Sequence, residues 1–150
     1  MSFADFITPK EENKNDYLGF FALTTGLNIE KQISIFKKEK DDYSIILLKS
    51  IADRMAEAFS ELLHLRVRKE FWAYSKNENL NLQELFSGKY LGIRPAVGYS
   101  ACPDHSQKEE IFKIMQVEKN INIKLTENFA MLPNASASGF YFANEKSKFF

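Results

Sequence analysis

From Asp42 to about Tyr74 the chain runs without a glycine or a proline. Nothing in that stretch breaks a helix. Its apolar residues repeat mostly at three and four positions: Leu48, Ile51, Ala52, Met55, Phe59, Leu62 and Leu63. The spacing predicts one helix with a continuous apolar stripe, capped by Asp41 or Asp42. At about 1.5 Å per residue it would be on the order of 45 Å long and would span a whole domain. Opposite the stripe runs a polar row at the same spacing, Asp53, Glu57, Glu61, His64 and Arg68, which by itself reads as a solvated face.

Other elements arrange themselves around this helix. Lys10 to Asp16 is polar and charged, an exposed loop. Tyr17 to Thr25, bounded by Asp16 and Gly26, reads as a buried strand. Ile29 to Lys40 puts Ile29, Ile33 and Phe36 at helical spacing, with a basic last turn that suits the helix dipole. A short helix is expected over Leu82 to Phe86. Ser106-Gln-Lys-Glu109 has the form of a capping box, opening a helix with Ile111, Phe112 and Met115 on one face. Beyond Asn120, apolar residues through Leu132 meet a Pro133-Asn134 turn, and Ser136 to Phe142 returns, a pattern that predicts a β-hairpin. The apolar ending Phe149-Phe150 suggests a strand that has been cut.

Charge balance narrows the function classes. Twenty basic and twenty acidic side chains give a formal net charge of zero. That argues against a surface built to neutralise phosphates, so nucleic acid is not expected as a partner, nor is a polybasic membrane surface. The longest uncharged stretch, Asn128 to Asn144, carries Pro133, two serines and three asparagines, and does not read as a membrane span. The single cysteine, Cys102, fits a reducing compartment, and a cytoplasmic location is expected. Aromatics are abundant, with 14 Phe and 6 Tyr. They form either a large core payload or a platform for a flat ligand.

The residues able to carry chemistry gather between Gly88 and Pro103, where three of the six glycines and two of the four prolines fall. This stretch is neither helix nor central strand, and long irregular loops in small domains are often functional. A metal site at Cys102 and His105 lacks ligands, because the other histidine is His64 and there is no second cysteine. A Cys–His nucleophile pair needs the imidazole at the sulfur, which this spacing does not supply. No phosphate-binding glycine pattern occurs. What remains is a stiffened loop in which Gly98 permits close backbone approach. Arg94 at its entrance suits a carboxylate, and Tyr99 offers a flat face and a hydroxyl. These residues predict a loop that binds a small carboxylate-bearing ligand.

Gly92-Ile-Arg-Pro-Ala-Val-Gly-Tyr-Ser-Ala-Cys-Pro-Asp-His105 resembles the hallmark loop of the activation domain of cobalamin-dependent methionine synthase. That family reads Gly-Ile-Arg-Pro-Ala-Pro-Gly-Tyr-Pro-Ala-Cys-Pro-Asp/Glu-His. The likeness extends to Phe3–Ile7, Asp16–Phe20, Ala52–Phe59, Leu63–Arg68 with Phe71-Trp72, Leu125–Met131 and Ser136–Gly139 with Tyr141-Phe142. The resemblance implies an α+β fold, a long helix and shorter helices packed on a twisted antiparallel sheet, as the element order allows. It also implies a module that binds S-adenosylmethionine and docks over a cobalamin-binding domain or subunit. There, reduction by flavodoxin or an equivalent reductase and methyl transfer restore methylcobalamin from cob(II)alamin. Carried over by position, Arg94 matches the arginine on the S-adenosylmethionine carboxylate. Pro95, Ala96 and Gly98 match the loop around its backbone contacts, and Glu57 matches a helix glutamate near the ligand. Tyr99 matches the tyrosine that approaches the corrin. Phe149 and Phe150 fall where the family has a tyrosine pair.

The departures carry expectations of their own. Val97 and Ser100 replace two loop prolines, which predicts a looser loop. Phe149 and Phe150 keep stacking but lose hydroxyls. The family domain also has a large N-terminal part, with an aspartate at the ligand site, and a C-terminal continuation. Residues 1–150 therefore read as a partial activation domain: a fragment, or one subunit of a split enzyme. The alternative reading is a non-catalytic interaction piece that completes another polypeptide and binds no ligand alone.

Overall fold

In the computed structural model, residues 2–147 are described. Strand β1 (Gly19–Thr24) leads into helix α1 (Ile29–Glu39) and then the long helix α2 (Asp42–Arg66). Asp41 caps α2 with both carboxylate oxygens, one accepting from the Ser44 amide at 2.9 Å and the other from its hydroxyl at 2.6 Å. At 25 residues α2 is about 37 Å long. It is shorter than the glycine- and proline-free run because Val67–Phe71 widens into a π-helical turn, where the Trp72 amide donates to the Val67 carbonyl. Short helix α3 (Leu82–Phe86) follows, with a capping box between Asn81 and Glu84. Helices α4 (Gln107–Met115) and α5 (Val117–Ile121) precede β2 (Lys124–Leu125), β3 (Met131–Leu132) and β4 (Ser136–Tyr141).

Strand β4 pairs antiparallel with β1, from Gly19 opposite Tyr141 to Thr24 opposite Ser136. The expected hairpin is therefore not the one formed. The strand after Pro133-Asn134 crosses to β1, and the local hairpin joins the two-residue strands β2 and β3. β1 offers a six-residue ladder, whereas β2 and β3 are too short to template β4. The Ser106 capping box also fails to form. Ser106 makes no side-chain cap, and its amide donates instead to Asp104 Oδ1 at 2.8 Å.

The sheet alternation sorts two apolar clusters. Phe140 and Phe142 face the N-terminal Phe3 and Phe6, with Ile93 and Ala101 between them. Phe21, Leu23 and Tyr141 point the other way, onto Ala56 and Val67. α2 presents small residues to the sheet: Ala52, Ala56 and Ser60 are buried, followed by His64 and Arg68, which are fully enclosed. Of the predicted apolar stripe only one edge, Ala52 and Leu63, packs inward, and its bulky centre is exposed. Ile51 is 48% accessible, Met55 56%, Phe59 42% and Leu62 53%. Small side chains let the helix axis approach the sheet closely, so the bulky residues are turned outward.

Candidate functional site

Arg94 is placed by the sheet. Ile93 and Phe142 exchange both backbone hydrogen bonds at 3.0 Å, and the Phe140 amide donates to the Pro95 carbonyl at 2.9 Å. The segment Ile93–Pro95 thus lies along the free edge of β4. The approach depends on Gly139, where an added Cβ would strike the Pro95 carbonyl oxygen. Strand alternation buries Ile93 in the Phe3–Phe142 cluster and turns Arg94 to the opposite face, toward α2. There Arg94 Nη2 donates to Glu61 Oε2 at 2.9 Å. Tyr90 lies beside Arg94, whose charge acts on its phenol.

Beneath this pair lies a buried polar column. Arg68 forks onto Glu78, Nε to Oε2 at 2.7 Å and Nη2 to Oε1 at 2.8 Å. Its guanidinium carbon sits 4.2 Å from the Tyr90 ring centroid, a cation–π contact. The His64 ring stacks on Tyr141 at 5.2 Å, meets the edge of Tyr90 at 5.0 Å, and lies 3.3 Å from the Tyr74 hydroxyl. Burial, followed by the charges of Arg68 and Arg94, pushes the His64 pKa down to about 3, so the ring is neutral. Burial raises Tyr74 to about 12, and raises Tyr90 and Tyr141 as well. The column therefore carries its charge as two opposed pairs, Glu61–Arg94 and Glu78–Arg68, amid neutral rings.

Beyond Pro95 the chain makes a tight turn. The Gly98 amide donates to the Cys102 carbonyl at 2.8 Å, and the Cys102 amide to the Tyr99 carbonyl at 2.9 Å. Gly98 has φ +99°, and its missing side chain leaves room for the His105 ring, which a Cβ would strike. Buried Val97 and Ala101 anchor the turn, while Tyr99 stands 69% exposed at its tip. Burial and then Asp104 raise the Cys102 thiol pKa, the opposite of nucleophile activation.

Two pockets share Arg94. One, of about 340 Å³, is lined by Phe3, Arg94, Pro95, Ala96, Tyr99 and Ala101 among others. The second, of about 530 Å³, is lined by Asp53, Glu57, Ser60, Arg94, Asn134 and Ser136 among others. Arg94, Pro95, Ala96 and Tyr99 thus meet around one concavity, and Glu57 meets Arg94 in the next. Gly98 belongs to the turn that carries Tyr99. Glu57 itself is solvated and ion-paired to Arg54 at 2.7 Å, a contact of little energetic weight. Phe149 and Phe150 lie outside the described residues. Glu61 and Tyr90 join the site although no motif in the sequence singles them out. Glu61 was legible only as one helical turn beyond Glu57.

The family profile for the activation domain of vitamin B12-dependent methionine synthase matches residues 1–150. The chain belongs to this family. Among solved structures, this activation-domain chain is similar to the MetH reactivation domain bound to AdoHcy, with a TM-score of 0.94 and 51% identity. The match covers 98% of this chain and 45% of that one. The activation-domain chain thus spans less than half the length of that relative, and it shares its mixed fold of helices with a small antiparallel sheet.

Proposed function

We propose that this chain binds S-adenosylmethionine as part of the reactivation module of cobalamin-dependent methionine synthase, a methyltransferase. In this role it supports the reductive methylation of cob(II)alamin to methylcobalamin in methionine biosynthesis. The observation that carries the reading is Arg94, held at the mouth of two pockets on a fold shared with a relative that holds AdoHcy. A pocket of about 340 Å³ falls within the usual range for small-molecule sites, roughly 300–1,000 Å³.

The chain's own residues bind and orient. Arg94 takes the carboxylate of the ligand's amino-acid end through charge-assisted hydrogen bonds. Pro95 and Ala96 offer backbone groups on a segment already fixed to β4, so little ordering cost accompanies binding. Gly98 lets the turn fold tightly behind them. Glu57 contributes a carboxylate near the sulfonium, and Phe149 and Phe150 contribute aromatic faces, both stabilising for a positive centre. Tyr99, at the exposed tip, meets the corrin when a cobalamin-binding domain or subunit docks. The bound cobalamin would supply the methyl acceptor once flavodoxin or an equivalent reductase had given it one electron, and S-adenosylhomocysteine would be the leaving group. The setting is the cytoplasm, and the isolated chain is not itself catalytic.

Titration calorimetry with S-adenosylmethionine tests the reading. Saturable binding that Arg94→Ala weakens supports it; heats no different from dilution, both for the chain alone and with the rest of the synthase supplied, overturn it.

A second role is compatible with the first, and the bare ridge of α2 favours it. Met55 and Leu62, two turns apart on one face, are each more than half exposed, and more than half of the similar reactivation domain has no counterpart in this chain. In this reading the chain completes a methionine synthase by docking its ridge on the remaining polypeptide. Co-elution with that polypeptide on gel filtration supports this role, and independent elution opposes it.

A further inference from the structure

We propose that Glu61 is a positioning residue for the ligand's amino-acid end, acting through Arg94. The proposal deepens the S-adenosylmethionine reading and rests on it. Glu61 Oε2 grips Arg94 Nη2 at 2.9 Å, with both side chains largely shielded from solvent. The pairing is through one end only, since Arg94 Nε and Glu61 Oε1 are both buried without a partner. One end of the guanidinium is therefore fixed to α2 while the side chain lines both pockets. An arginine without such a tether samples many rotamers and must surrender that freedom on binding a carboxylate. Tethering it beforehand removes most of that cost.

Neighbouring groups do not duplicate this role. Glu57 is solvated and makes its ion pair with Arg54, not with Arg94, and Glu78 is taken up by Arg68. Tyr90 also contacts Arg94, but it is a neutral phenol whose pKa burial raises further. His64 is neutral and bonds elsewhere.

The charge of Glu61 raises an opposing effect, repulsion of the incoming carboxylate. The amino-acid end of S-adenosylmethionine also carries an ammonium, which Glu61 attracts at a similar range. The two nearly cancel, so orientation decides the sign. Glu61 favours binding, and it favours a zwitterionic α-amino acid end in particular.

Two probes separate positioning from a general structural role. S-adenosylhomocysteine carries the amino-acid end; 5′-methylthioadenosine keeps the adenosine and lacks it. Calorimetry on the full chain is expected to show Arg94→Ala and Glu61→Ala each weakening S-adenosylhomocysteine roughly tenfold, with 5′-methylthioadenosine changed less than about twofold. Glu61→Gln, whose amide oxygen still accepts from Arg94, is expected to recover to within about threefold of the unsubstituted chain. The double variant is expected to bind no more weakly than Arg94→Ala, because the two residues act as one unit.

If Arg94→Ala weakens binding while Glu61→Ala does not, the positioning role is wrong and the ligand reading stands. If Glu61→Ala weakens both probes equally, Glu61 only supports the fold, and the proposal is again overturned. If the unsubstituted chain binds neither probe, alone and with the rest of the synthase supplied, or Arg94→Ala binds as well as it does, the ligand reading falls and this proposal falls with it.

Discussion

Arg94 and Glu61 sit 33 positions apart in sequence and meet at 2.9 Å, joining the irregular loop to the C-terminal part of the long helix. Through this contact a segment that looks like a connector is tied to the most regular element of the fold. The loop edge is set by β4, the tether by α2, and the two pockets open on either side of the side chain they share.

The buried pair beneath it should be costly to break. Arg68 is fully enclosed and Glu78 is 5% exposed, so Glu78→Ala leaves a guanidinium charge without its partner. A loss of about 3–5 kcal/mol in urea unfolding is expected. A loss below about 1 kcal/mol would mean that Arg68 finds water or another acceptor.

His64 gives the protein an acid-sensitive stability. Its pKa is about 3 in the folded state against the ordinary 6.5, so between those values the unfolded chain takes up a proton that the folded chain refuses. Stability is therefore full above about pH 6.5 and falls as the pH drops below it, by roughly 1.4 kcal/mol per unit, until about pH 3. Chemical unfolding at pH 7, 6 and 5 measures the slope, and His64→Gln should remove most of it. An unchanged slope in that variant would show that other groups carry the effect.

These two interior residues also mark where the sequence was hardest to read. The boundaries of β1, α1, α3 and the start of α2 were legible, because glycines, caps and periodicity are local signals. The facing of α2 was not. Its bulky stripe at Met55, Phe59 and Leu62 has the stronger amphipathic signal, yet the row Ala52, Ala56, Ser60, His64 and Arg68 is what packs inward. Periodicity identifies the faces of a helix, but not which one the rest of the fold covers. The pairing of β4 with β1 was likewise hidden, since register between strands more than a hundred residues apart leaves no local trace. The loop was the reverse case: irregular in structure, it was unmistakable in sequence, because Gly92, Arg94, Pro95 and Gly98 each answer a specific geometric need. Glu61 was visible only as a member of a row that looked solvated.

Gly98→Ala tests the turn that carries Tyr99. A side chain there faces φ +99° and the His105 ring, so strain of about 1–3 kcal/mol is expected. Thermal unfolding should report that loss, together with weaker binding of S-adenosylmethionine. Wild-type stability and affinity in the variant would mean that the turn relaxes freely and its geometry is unimportant.

The exposed ridge on α2 calls for the opposite pattern. Met55→Lys replaces a side chain that is 56% exposed, so a stability change within about 0.5 kcal/mol is expected. Association with the rest of the synthase should weaken by more than that. A variant that unfolds more easily but still associates normally would mean that the ridge is packed in the chain itself and is not a docking face.

The most direct measurement is calorimetric titration of S-adenosylmethionine into the unsubstituted chain and into Arg94→Ala, with the remaining part of the synthase present in both. Saturable binding that loses roughly 1.5–3 kcal/mol when the guanidinium is removed is expected. Equal affinity in the two proteins would contradict it.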